Sequence, residues 1–564
     1  MAYFLKKMNR KNGLYLAIYE SFYSSDSKDT RHRCYQALGT VDYLKNKGID
    51  DPIAFYSNEV RLLNLKRKED KANNKFNQKL ISEVSPEKLL GYFPLSRVLN
   101  NLDIKTSFDY IQKGRVFRFS LYDVFTSLVY ARAVAPSSKH KTFHDVLPSL
   151  YKETQCSYDQ ILECTEFLGS EYERFVEILT VATKDNYSLN TSRTYFDCTN
   201  FYFEIDRESF IQRKGPSKEN RKDPIVGMGL LLDANMIPIG MKIYPGNESE
   251  KPVLRNVIES LKNQNNIEGK TIQIADKGLN CARNIIEAVN HNDGYIFSKS
   301  VKTLPEEERK WVLSQDDYKY YVDENKNIKY GLKSCVDEFV YKYKDENGRE
   351  FIKKIKEKRI CIYNPKLARK KLQEIERLVE KAHKLSHSQA KRSEYGESSR
   401  YVDFIDSKGN KAESKINEDK INKDRELAGY NMLVTSETHM NDDEVYKAYH
   451  NLWRIEESFR VMKSELDARP VYLQKENSIK GHFLICYTAV LLLRLLQIHE
   501  LKNKYSTSEK CRFIKEFKVV QINENRYINL TRLSPFIREL SVIMNLPLTN
   551  FYFTQKQINM MHTR

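Results

Sequence analysis

Apolar and polar positions alternate with different periods in successive stretches of this chain, and the changes of period divide it. In residues 14–38, the runs Leu14-Tyr-Leu-Ala-Ile-Tyr and Arg33-Cys-Tyr-Gln-Ala-Leu flank Ser- and Asp-rich turn residues, which predicts a β-hairpin. Residues 60–80 are polar and basic and read as a linker or an exposed arm. Residues 85–183 turn helical. Ser85-Pro86-Glu87-Lys88 reads as a helix start with Pro in its first turn. Apolar periodicity continues through 122–132 and 158–168, with a break at Pro136-Ser137-Ser138-Lys139. Short helices carrying basic residues suit either a helix-turn-helix-like DNA module or an ordinary bundle.

From 193 to 300 the pattern becomes α/β. A strand at 193–203 carries Asp197 among aromatic residues. Two β-prone runs, 226–233 and 237–244, flank an Ala-Asn turn and predict a hairpin closed by Pro245-Gly246-Asn247. A short apolar strand at 270–276 ends in Asp276, followed by a helix at 281–289 and a strand at 295–298. Residues 300–428 interrupt this pattern. Alternating segments at 318–322, 338–344, 351–356 and 359–363 precede a basic amphipathic helix at 366–385, with Leu372, Ile375, Val379 and Ala382 on one face. This block reads as a β-rich domain inserted into a fold that resumes at Tyr430. Asn441, Asp442 and Asp443 are capping residues for a helix. On it Tyr449, Trp453, Glu456 and Lys463 would share one face, while Ile455, Phe459 and Met462 pack inward. The eleven-residue apolar run 483–493 stops at Arg494 and reads as a buried core helix. The predicted fold class is α/β, a mixed sheet flanked by helices, with a β-rich insertion and a helical N-terminal region. The expected segments are 1–80, 81–190, 191–300, 301–428, 429–500 and a basic helical tail at 501–564.

Composition narrows the partner. The 564 residues hold 93 Lys and Arg against 76 Asp and Glu, a formal net charge of +17. That excess favours a polyanion, nucleic acid before membrane. It is clustered: residues 353–392 carry fourteen Lys and Arg against four Glu, and residues 1–80 sixteen basic against nine acidic side chains. The nine Cys form no Cys-x-x-Cys pair, so neither a zinc site nor a disulfide framework is expected. The first residues lack an apolar signal core. The expectation is a cytoplasmic protein, nucleoid-associated when bound to DNA, with no membrane partner.

Asp197, Asp276 and Glu456 are acids on apolar elements, and buried carboxylates need partners. Carboxylate oxygens are the hard ligands of Mg²⁺ and Mn²⁺. Two such ions stabilise the attacking and leaving oxygens of a phosphodiester displacement. Around the helical acid, Arg454, Arg460 and Lys463 suit nucleic-acid phosphates.

With these residues in view, the chain resembles bacterial insertion-sequence transposases of the DDE class, with an RNase H-like catalytic fold. It is similar to the branch that has a β-rich insertion before the last acid and a Tyr-x2-Arg-x3-Glu-x6-Lys signature. Tyr449, Glu456 and Lys463 fit that spacing, while Leu452 stands where the signature has Arg. Asp197-Cys-Thr199, Gly215-Pro-Ser217-Lys218-Glu-Asn-Arg221, Pro245-Gly246-Asn247 and Ala275-Asp276-Lys-Gly278 resemble the family's other motifs. The resemblance implies DNA transposition, with Asp197, Asp276 and Glu456 catalytic and holding two Mg²⁺ or Mn²⁺ ions. It also implies DNA contacts by Tyr449, Trp453, Arg454, Arg460, Lys463, Lys218 and Arg221, with Arg454 standing in for the missing Arg. Trp453 would stack on a displaced base. Transposition pairs two ends, which implies a dimer on DNA. The competing readings are a nuclease of the same fold that joins no strands, an inactive transposase-derived DNA-binding protein, and a basic structural protein.

Overall fold

A computed structural model of the chain describes residues 2–24, 29–77, 85–218, 222–264, 266–387, 392–404, 414–523 and 525–563. It divides into two compact units, Met1–Ser85 and Pro86–Arg564. In the first, the strands β1 (Tyr3–Arg10), β2 (Gly13–Ser24) and β3 (Asp29–Thr40) form an antiparallel sheet. This sheet has one strand more than the predicted hairpin. The signal for the extra strand was present in Asn12-Gly13, a turn dipeptide, and Gly13 takes φ +105° there. The supposed linker at 60–80 lies largely in a helix, Pro52–Asn77, and its last residues fall outside the described ones. That helix is held through polar contacts. Asn64 exchanges two 2.8 Å hydrogen bonds with the Tyr3 backbone, and Arg67 pairs with Glu20 at 2.8 Å. Such attachment leaves no apolar stripe to read.

In the second unit, residues around Pro86 form a strand, β4 (Glu87–Leu89), where a helix start was expected. Its partner strand, Lys518–Asn523, lies far away in sequence, so no local pattern announces it. The helix begins instead at Phe93, with Pro94 in its first turn. The helices Leu121–Val134, Tyr158–Ser170 and Tyr172–Tyr187 gather around Glu476–Leu495, whose side chains are buried from Ser478 onward apart from Lys480. By length and composition this helix is apolar enough to cross a membrane, but 89% of its most apolar window is buried inside the protein.

The centre is a nine-stranded mixed sheet. Its strands are β5 (Arg193–Tyr202), β6 (Ile225–Leu232), β7 (Pro238–Pro245), β8 (Ile272–Ala275), β9 (Gly294–Lys299), β10 (Lys319–Val322), β11 (Ile328–Lys344) and β12 (Glu350–Tyr363). A two-stranded ribbon, β13 (Val402–Phe404) and β14 (Ser414–Ile416), precedes the ninth sheet strand, β15 (Tyr430–Thr435). The order is β10-β11-β12-β15-β9-β8-β5-β6-β7. β8 runs parallel to both β5 and β9, and every other neighbouring pair is antiparallel. Tyr195 and Phe201 of β5 face the core around Glu476–Leu495. Phe196 and Cys198 face the other core, packed with residues of the helices Lys251–Asn263 and Ala282–Asn290. A strand buried on both faces reads as continuously apolar.

Of the block expected as a β-rich insertion, the strands β10, β11 and β12 extend this sheet, while β13 and β14 form a ribbon of their own. β12 pairs with β15 from Lys358 against Thr435 to Tyr363 against Tyr430. The segments 351–356 and 359–363, read as two strands, are one. The basic helix is present as Pro365–His387, with Ile375, Leu378 and Val379 buried against Tyr401 and Ile421.

Candidate active site

Register places the first two acids. Parallel pairing matches Phe196 with Ala275, so the residues that follow, Asp197 and Asp276, come side by side at the C-terminal end of β8. Paired residues on neighbouring strands about 4.8 Å apart point to the same face. The Tyr449 hydroxyl donates to Asp276 Oδ1 at 2.8 Å. Burial, then the Asp276 charge, pushes the phenol well above its ordinary range and keeps it a donor. Tyr449, expected at a phosphate, thus orients a carboxylate.

Asp197 accepts from the Cys198 amide at 2.7 Å and lies 3.7 Å from the Lys218 ammonium. Burial pushes Asp197 up to about 6, against the pull of Lys218 and the Cys198 amide, while Glu250 and Asp276 add to the rise. Lys218 also lies 3.3 Å from Glu250 and donates to the Cys198 carbonyl. Burial draws its ammonium down, but Asp197 and Glu250 outweigh that and leave it raised.

Glu250 follows the turn Pro245-Gly246-Asn247 by three residues, and no motif in the sequence marks it. It sits at the N-terminal cap of the helix Lys251–Asn263 without capping it. Two glycines bring its loop against the segment carrying Lys218. A Cβ on Gly215 would fall 2.2 Å from the Gly246 carbonyl oxygen, and one on Gly246 would fall 2.1 Å from that of Ile225. Only glycine lets these backbones approach so closely. The glycines were visible in sequence; the acid they deliver was not.

The third acid sits apart. The single helix expected over 449–463 is broken. One helix, Asp442–His450, is capped by a reciprocal Asn441–Glu444 box, as the capping residues foretold. The chain then tightens at Asn451-Leu452, where Leu452 N bonds Tyr449 O and Arg454 N bonds Asn451 O. A second helix, Trp453–Arg460, runs into a wide turn at Val461–Glu465, in which Leu466 N reaches back to Val461 O. Tyr449 and Glu456 therefore do not share a helix face. Glu456 is exposed, and its neighbour Glu457 is tied inward to Arg494 at 3.0 Å. The charges acting most strongly on Asp197 are Lys218, Glu250 and Asp276, not Glu456. Among the described residues, no three His, Cys, Asp or Glu side chains lie close enough to share one metal ion.

The other expected DNA contacts are scattered. Trp453 is half exposed, with Arg454 5.8 Å from its ring centroid, and Arg460 is exposed. Lys463 lies 5.4 Å over the Phe201 ring of β5. Lys218 faces the carboxylates, and Arg221 lies outside the described residues. Leu452, in the position of the signature Arg, is buried. In chemistry the donor set fits a hard divalent cation: Asp197 and Asp276 offer only oxygen, and a half-buried carboxylate lifted to about 6 lacks full compensation of its charge.

Adjacent carboxylates at parallel strand ends are thus held by a tyrosine and a lysine. Residues 208–492, just over half of the chain, match the model of the transposase DDE domain family, and the chain belongs to that family, whose members are nucleic-acid-cleaving transposases. The matched span includes Asp276 and Glu456 and begins after Asp197. No curated protein matches the chain. Among solved structures, it is similar to a cryo-EM structure of piggyBac transposase synaptic complex with hairpin DNA. Identity is 10%, over 77% of this chain and 79% of that one, with a TM-score of 0.36, too distant to bear on the site.

Proposed function

We propose that this chain is the DNA transposase of an insertion sequence, binding the element's ends, cleaving them and joining them to target DNA. The side-by-side placement of Asp197 and Asp276 in a member of the DDE family carries this reading. The order β7-β6-β5-β8-β9, antiparallel and then parallel, supports an RNase H-like core.

Asp197 and Asp276 would hold divalent cations, Mg²⁺ or Mn²⁺. When bound, the metal supplies the Lewis acidity that activates water or a 3′-hydroxyl and stabilises the leaving oxygen. Tyr449 fixes the orientation of Asp276, as partners of ligating carboxylates do. Lys218 holds Asp197 through its ammonium and places positive charge beside the reacting phosphate. Glu456 is assigned as the third acid from its place in the family signature and its open position on a helix that adjoins β5. Its carboxylate joins the pair through a change of rotamer or of helix position. Trp453, Arg454, Arg460 and Lys463 flank it as DNA contacts, and two copies would pair the two ends.

The test uses purified protein, Mn²⁺ or Mg²⁺, and duplexes carrying the DNA that flanks the gene. Wild type should nick the end to a 3′-hydroxyl and join it to a second duplex. Asp197→Asn and Asp276→Asn should each lower cleavage by more than about 100-fold while still shifting the DNA in a gel. Nicking without joining would reduce the enzyme to a nuclease. Intact DNA with wild type would overturn the proposal.

A further inference from the structure

Away from the acids, Ser137, Ser138 and Lys139 line a cavity of about 250 Å³ with Arg132, Asp467 and His482. Lys139 is only 7% exposed, yet among the described residues its ammonium has neither a hydrogen bond nor an ion pair. Buried ammonium groups are ordinarily paired. Arg132, 5% exposed, spends its guanidinium on neutral acceptors: the carbonyls of Ser137 at 2.7 Å, Leu466 at 3.4 Å and Asp467 at 3.5 Å. Asp467 is the one acid in the lining, and it pairs with neither cation. His482 is buried beside the Ala468 carbonyl, and burial holds its imidazole well below its ordinary range, hence neutral. The lining thus sets the cationic side chains of Lys139 and Arg132, with His140 beside them, against the single carboxylate of Asp467.

We infer that this cavity binds a phosphate group, and that in the working protein the group is one phosphodiester of the bound DNA. Two cationic side chains facing one carboxylate suit an anionic phosphate group. The volume lies below the roughly 300–1,000 Å³ of pockets that take whole cofactors, and suits a group-sized ligand. Position names the strand. Residues 467–473 of the wall directly follow the wide turn that ends the helix of Glu456, and Arg469 lies 5.4 Å over Tyr202 of β5. A backbone held here is fixed relative to both acid-bearing elements. The DNA source rests on the transposase reading; the phosphate chemistry does not.

The test measures binding of full-length protein to a labelled duplex by fluorescence anisotropy across a salt series, beside calorimetry with inorganic phosphate. Lys139→Met suits it because Lys139 makes no structural bond, and Lys139→Arg restores the charge. The slope of log affinity against log salt should fall in magnitude by about one in Lys139→Met, the loss of one phosphate contact, and return in Lys139→Arg. An unchanged slope, with phosphate binding that Lys139→Met abolishes, would overturn the DNA source and leave a free-phosphate site. An unchanged slope with no phosphate binding would overturn the site altogether. If wild type binds no duplex at all, the transposase reading fails, and the phosphate arm alone decides the cavity.

Discussion

Two lysines of the second unit, one open to solvent and one buried, show how differently this protein treats positive charge. Lys218 lies between Asp197 and Glu250, and its ammonium is raised above the ordinary lysine value. Lys139 has no acid partner, and burial followed by Arg132 pushes its ammonium down to about 7. The first charge is compensated from within, so it serves the carboxylates around it. The second awaits compensation from outside. The family resemblance implies a DNA contact for Lys218. Lys139 belongs to the Pro136-Ser137-Ser138-Lys139 helix break, and the proposed cavity site adds a phosphate contact there to the one at Lys218.

The sharpest way to break this contrast lies on one helix, where Glu456 and Glu457 repeat it one residue apart. Burial works against the Glu457 carboxylate, but Arg494 and Thr507 hold it below its ordinary range. Glu457→Gln should destabilise the fold by up to about 3–5 kcal/mol, because the buried Arg494 loses its carboxylate partner and keeps only neutral acceptors. Glu456→Gln should leave the melting temperature within a degree or two and abolish cleavage. Urea unfolding beside a nicking assay separates the two. A cleavage-competent Glu456→Gln would remove Glu456 from the site.

A smaller effect is expected at Glu250. With the acid gone, Lys218 keeps Asp197 as its sole carboxylate partner and competes there with metal. Glu250→Gln should therefore raise the Mn²⁺ concentration needed for half-maximal cleavage by about 10–100-fold, with the rate at saturating metal largely recovered. Adding Lys218→Gln should reverse most of the shift. An equal loss of rate at every metal concentration would instead make Glu250 part of the chemistry itself.

These residues also show what local sequence carries and what it hides. The continuous apolar runs of β5 and β8 made Asp197 and Asp276 stand out, because strands buried on both faces leave a lone acid conspicuous. The Asn441 cap was equally local. The break at Asn451-Leu452 was not, because Tyr449 and Glu456 kept helical spacing through a tightened turn. Joining β10–β12 to the central sheet depended on pairing β12 with β15, some seventy residues further on, and long-range register leaves no periodic signature. Glu250 and Lys139 stayed hidden for another reason: each depends on a charge brought near, or kept away, by a distant segment.

The smallest expected effect tests whether Lys139 is uncompensated in solution. In the folded protein it loses its proton near pH 7, whereas in the unfolded chain it keeps it to about 10.5. Between those values the unfolded state binds more protons, so this group makes stability rise with pH across that window. Below pH 7 the charge is buried without a partner and the penalty is largest. Lys139→Met removes the penalty, so the variant should be more stable than wild type at pH 6.5. The advantage should shrink towards pH 9.5 by at most about 1.4 kcal/mol per pH unit. Lys510, also pushed to about 7, titrates in both proteins and cancels in the difference. Urea midpoints of the two proteins at the two pH values measure the effect. A stability difference independent of pH would mean that Lys139 is solvated or paired, and would dissolve the contrast with Lys218. With saturating duplex DNA the order should invert, since a phosphodiester then compensates the charge that methionine lacks.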